Sequence, residues 1–67
     1  MSQPVQSAVR VSNQELATVR EAMRALHRLL AQLDRGEVEK VVLTQRNQMR
    51  AVLITLERYS ELEQRAA

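Results

Sequence analysis

The sequence predicts an α+β fold. It holds a short β-strand, a long helix with or without a kink, a β-hairpin and a C-terminal helix, with an antiparallel sheet that belongs to a homodimer. Three observations predict this. Between Glu37 and Glu63, two runs rich in β-branched residues flank the polar break Gln45-Arg46-Asn47-Gln48, and a short amphipathic segment carrying Leu56, Tyr59 and Leu62 follows. Upstream, Leu16, Val19, Met23, Leu26, Leu30 and Leu33 recur at spacings of 3, 4, 3, 4 and 3, a narrow heptad stripe. Both hairpin strands are apolar on both faces, and a chain of 67 residues has little with which to cover them.

Residues 1–7 are polar and contain the only proline, so they read as a flexible N-terminal arm, with residues 8–67 as one domain. Ala8-Val9-Arg10-Val11 alternates and predicts a short edge strand. Ser12 or Asn13 then caps a helix, and Ser12-Asn13-Gln14-Glu15 fits a capping box. The helix runs to Arg35 and stops at Gly36, the only glycine, where a left-handed C-cap is wanted. At 1.5 Å per residue it would reach about 34 Å.

The second strand is expected over Val38–Thr44, with Glu39, Val41 and Leu43 on one face and Val38, Lys40, Val42 and Thr44 on the other. The third is expected over Met49–Thr55, with Met49, Ala51 and Leu53 sharing a face. Asn47 tolerates positive φ in the loop between them. Thr55 caps a last helix over Leu56–Arg65, whose positive end Glu57 favours. Tyr59 is expected to pack its ring on the hairpin.

Composition narrows the function. There is no cysteine and only one histidine, which removes disulfides and thiolate metal sites. Oligomerisation is then the remaining staple for so small a scaffold. Lack of cysteine suits a reducing cytoplasm, and the N-terminus has neither the basic nor the apolar region of a signal peptide. No apolar run approaches the ~20 residues that span a bilayer. His27, beside Leu26 and Leu30, reads as a structural residue. Ser7, Ser12 and Ser60 have no nearby base, and no glycine loop cradles phosphate. The expectation is a non-enzyme without cofactor or metal.

The net charge is +2, and nine of the ten basic residues are arginine. Arginine's planar fork matches phosphate, so the balance leans towards nucleic acid. A single tyrosine as the only aromatic residue offers no stacking platform for single strands. Arg20, Arg24 and Arg28 recur every four residues as a row beside the leucine stripe. They read either as a phosphate-facing row or as a solvated face partly paired with Glu21 and Asp34. Arg46 at the hairpin tip and Arg10 near the N-terminus can protrude towards a groove or a phosphate. The candidate DNA contacts are therefore Arg10, Arg20, Arg24 and Arg46. The candidate dimer interface is Leu16, Val19, Met23, Leu26, Val42 and Leu53. Arg50 reads as structural or as a rim charge.

The segments Val42-Leu43-Thr44-Gln45-Arg46-Asn47 and Ala51-Val52-Leu53-Ile54-Thr55-Leu56-Glu57-Arg58-Tyr59-Ser60-Glu61-Leu62-Glu63 resemble the prevent-host-death (Phd/YefM) antitoxin family. That pattern is an apolar strand ending in Thr-Arg, a polar turn, a strand reading Ala-Val-Leu, then Ser-Leu-Glu-Glu-Tyr-x-x-Leu. The resemblance implies two chains joined through their sheets, a repressor that binds the operator of its own operon, and a toxin-neutralising segment beyond the final helix. The family's turn arginine falls at Gln45, with Arg46 one place later, and its turn glycine falls at Gln48. Its early helix arginine corresponds to Arg20 or Arg24. The helical region is longer here than in the family. Hardly any chain follows the last helix before Ala67. Toxin binding would then belong to a segment outside this sequence or to the long helix, or the dimer would act on DNA alone. The alternative function is a protein-interaction module that holds a toxin or another partner through the long helix, without DNA.

Overall fold

A computed structural model describes residues 9–66. Residues 1–7, expected as an arm, and Ala8 lie outside the described residues. The order is a 3-10 turn over Asn13–Glu15, then β1 (Leu16–Thr18), α1 (Val19–Asp34), β2 (Val41–Gln45), β3 (Gln48–Leu53) and α2 (Leu56–Ala66). The class is α+β, with a long helix, a hairpin and a C-terminal helix in the expected order.

The sheet runs β1-β2-β3 and is mixed. β2 and β3 are antiparallel, but β1 pairs with β2 in parallel, with Leu16, Ala17 and Thr18 opposite Val42, Leu43 and Thr44. This corrects the antiparallel expectation for β1. Its physical cause is the connection: α1 carries the chain back across the sheet, so β2 re-enters in the direction of β1.

The first strand is also not where alternation placed it. Val9–Val11 has no regular structure, and the strand is Leu16–Thr18. Ser12 and Glu15 act where the capping box predicted, but on the 3-10 turn. The Ser12 N–H donates to Glu15 Oε1 at 3.1 Å, and the Glu15 N–H donates to the Ser12 carbonyl at 3.0 Å. A second box, at Thr18 and Glu21, starts the long helix instead. α1 is therefore shorter than expected, and it kinks at Ala25 (φ −117°, ψ 19°).

Gly36 stands at φ +74°. Its N–H donates to the Leu33 carbonyl at 3.1 Å and the Glu37 N–H donates to the Gln32 carbonyl at 2.9 Å, the two bonds of a Schellman ending. The hairpin closes through a two-residue turn in which Arg46 (φ 55°) and Asn47 (φ 63°) are both left-handed, as a tight primed turn requires. A bulge beside Leu43 and Thr44 leaves Arg50 unpaired and sets Met49 opposite Thr44. Met49 thus shares a face with Thr44, not with Ala51 and Leu53 as strict alternation implied.

The core lies between α1 and one sheet face. Ala22, Leu29 and Leu33 of α1 pack with Val38 and Val41, and Ala17, Ala25, Leu43 and Leu53 close around them. The buried side of α1 is thus rotated away from the leucine stripe. Ala22 and Ala25 are small enough to let the helix axis approach the strands. Of the stripe, only Leu33 is buried; Leu16 belongs to β1, while Met23, Leu26 and Leu30 face outward. Tyr59 is exposed as well: α2 has no buried residue and makes no extensive contact with another element. This corrects its expected place on the hairpin.

Candidate nucleic-acid interface

The register of β1 builds the site. Thr18 lies opposite Thr44, so α1 starts at Val19 where β2 runs into its turn. The N-terminus of α1 and the hairpin tip consequently form one corner. Between them is an open hollow of about 640 Å³ bordered by Arg20 and Arg24 of α1, Arg46 and Asn47 of the turn, and Thr18 and Thr44 of the strand ends. Three of the four arginines proposed from the sequence meet here. Arg10 is exposed and does not border this hollow.

The charges at this corner are not neutralised. Among the described residues no carboxylate forms an ion pair with Arg20, Arg24 or Arg46. Pairing of the row with Glu21 and Asp34, expected in part, is not what the chain does. Glu21 is occupied by the cap: its carboxylate accepts from the Thr18 N–H at 2.9 Å, while its own N–H donates to Thr18 Oγ1 at 3.0 Å. The backbone hydrogen bond from Thr18, with the Thr18 hydroxyl second, holds the Glu21 carboxyl below the usual carboxylate range. The positive end of the α1 dipole adds to the same corner.

Arg28 continues the row, donating to Gln32 Oε1 at 3.4 Å. With Arg24 it borders a second open hollow of about 550 Å³ that also contains Glu21 and Glu37, so its charge is mixed. Arg24 stands between the two. Behind the corner, Lys40 Nζ lies 3.4 Å from Glu15 Oε1, tying the 3-10 turn to the approach of β2. The Glu15 carboxyl is lowered first by its hydrogen bond from the Ser12 backbone and then by Lys40.

The proposed interface residues separate into two groups. Met23 and Leu26 are exposed on α1, Leu16 is exposed on β1, and Val19 is half-buried. Val42 is 2% exposed and Leu53 packs on the core, so the apolar surface of both is already largely covered within the chain. His27 is exposed, and among the described residues no cluster of His, Asp and Glu is placed to hold a metal ion. No helix among the described residues is long and apolar enough to cross a membrane.

Sequence reasoning missed Thr18, which frees the arginine row by engaging Glu21. Its signal was present in Thr18-Val19-Arg20-Glu21, a second capping-box pattern six residues after the first. Comparison of the chain with family models, curated proteins and solved structures finds no match in any of the three.

Proposed function

We propose that this chain is a homodimeric, DNA-binding transcriptional repressor of the prevent-host-death (Phd/YefM) antitoxin type, acting in the cytoplasm on a double-stranded operator, with a cognate toxin as a second partner. The observation that carries the reading is the corner where Arg20, Arg24 and Arg46 gather without a carboxylate partner. Guanidinium forks suit phosphate oxygens, and the helix end favours the same negative charge. Such contacts position a protein on DNA, while the protruding hairpin tip reaches towards a groove. Two copies would present two such corners, one for each half-site. The role is binding, without catalysis, cofactor or metal.

An electrophoretic shift with the fragment upstream of the coding sequence tests this. The complex should form at low salt, fade at high salt and be lost on Arg46→Glu. A shift unchanged by Arg46→Glu overturns the hairpin-tip assignment.

A protein-interaction module working through the long helix is the second reading. The outward-facing Met23, Leu26 and Leu30 favour it. A protein partner recovered from the native host, with no DNA shift even at low salt, would select it.

A further inference from the structure

α2 is only loosely held by its own chain. It has 11 residues, none of them buried, and it makes no extensive contact with any other element. Isolated helices of that length are marginal in water. Yet Leu56, Tyr59 and Leu62 recur every three residues on one side of it, and all three are exposed. α1 has a matching surplus in Met23, Leu26 and Leu30, outside the side that packs on the sheet. Leu30 and Leu56 both border an open notch of about 420 Å³, together with Leu33, Ile54, Asp34 and Glu57, so the two surfaces adjoin.

From this we infer that α2 of one copy lies along the Met23-Leu26-Leu30 stripe of α1 of a second copy, and reciprocally. The inference rests on the homodimer reading above and adds which segments exchange. The lengths fit: at about 1.5 Å per residue Leu56 to Leu62 spans about 9 Å, and Met23 to Leu30, across the kink at Ala25, about 10 Å. The area fits as well. At about 200 Å² per large side chain, the six exposed residues leave on the order of 700 Å² open in each copy. Two copies bring together on the order of 1,400 Å², within the ~1,200–2,000 Å² of a specific interface. A two-fold arrangement uses the same two patches on both copies and leaves neither open. A self-complementary pair of surfaces on one chain favours a second copy over an unrelated partner.

The absence of native cysteine makes the test direct. Copies carrying only Leu26→Cys are mixed with mass-tagged copies carrying only Tyr59→Cys, then oxidised. Leu26 is central in one stripe and Tyr59 in the other, so they meet in either orientation. Helix axes 8–10 Å apart bring facing Cα atoms within the roughly 7 Å that a disulfide needs. The expected result is a cross-linked pair with one copy of each kind, and none when Glu61→Cys, on the opposite side of α2, replaces Tyr59→Cys. A species of twice the 7.7 kDa chain mass in light scattering that gives no Leu26–Tyr59 cross-link overturns the exchange and leaves the dimer standing. A species of single-chain mass overturns both. Leu62→Glu provides an independent arm: it should convert the dimer to a single chain with α1 and the sheet still folded by circular dichroism, and a dimer that survives it contradicts the exchange.

Discussion

Thr18 and Glu21 close a reciprocal cap at the head of α1, with the Glu21 N–H 3.0 Å from Thr18 Oγ1 and the Thr18 N–H 2.9 Å from Glu21 Oε1. The pair starts the helix beside the hairpin tip and holds the Glu21 carboxylate in the cap, not in an ion pair with the arginine row. Thr18→Ala removes the hydroxyl half of it. The expected cost is about 1 kcal/mol, read as a lower urea midpoint with an unchanged slope. An unchanged midpoint would mean that the cap does not hold the helix start.

Acid stability follows from the same box and from Glu15. Both carboxyls titrate below the usual range, Glu15 chiefly through the Ser12 backbone and Glu21 chiefly through the Thr18 backbone. A carboxyl depressed by folding stabilises the fold above its unfolded value, and that contribution fades as pH falls through the folded value. Denaturant unfolding should therefore be flat from neutrality to about pH 5 and weaken below about pH 4. The Glu15→Gln, Glu21→Gln double variant should show a shallower acid decline than the parent. Equal declines would contradict the assignment.

Gly36 isolates backbone strain from crowding. At φ +74° a Cβ would meet no atom within 4 Å. Gly36→Ala should therefore cost about 1 kcal/mol through the left-handed backbone alone, and Gly36→Asn less, because Asn tolerates that region. Equal losses for the two variants, measured by thermal melts, would point to a cause other than the dihedral angle.

The sequence disclosed some of these features and concealed others for physical reasons. Gly36, the Thr55 cap and the hairpin were legible because each depends on local chemistry. A lone glycine ends the helix, the Arg58 N–H donates to Thr55 Oγ1 at 3.0 Å, and a four-residue polar break, of which Gln45 and Gln48 join the strands, separates two β-branched runs. The start of α1 was not legible. Two capping boxes stand six residues apart, and the heptad stripe begins at Leu16, between them. Leu16-Ala17-Thr18 is too short to announce a strand, and only pairing with β2 makes it one. The buried side of α1 was legible only in part, as Leu29 and Ala22 widening the stripe on one side, because Ala22 and Ala25 carry little hydrophobic signal although they allow the close approach. The arginine row could be read from its four-residue spacing. Its meeting with Arg46 could not, since that depends on the parallel register of Thr18 and Thr44.

Arg46 occupies a left-handed position that asparagine or glycine would fill at less cost. The double change Arg46→Asn, Asn47→Gly should stabilise the hairpin by about 1 kcal/mol through relief of the left-handed backbone and at the same time weaken DNA binding. A gain in stability with undiminished binding would assign Arg46 a structural role only.

Leu33 joins α1 to Val38 and Val41 in the core. Leu33→Ala should cost about 2–5 kcal/mol, enough to unfold a domain this small, whereas Met23→Ala on the outward stripe should leave the chain folded. Circular dichroism with urea titration separates the two. A folded Leu33→Ala protein with parental stability would contradict the position of the core.

A DNA titration over a range of salt concentrations, comparing the parent with the Arg20→Ala, Arg24→Ala, Arg46→Ala triple variant, tests the phosphate-binding corner most directly. The parent affinity should fall linearly on a log–log plot, and the triple variant should lose a slope of about 0.9 for each phosphate contact removed. Parallel lines of equal slope for the two proteins, or no binding by the parent at the lowest salt, would contradict it.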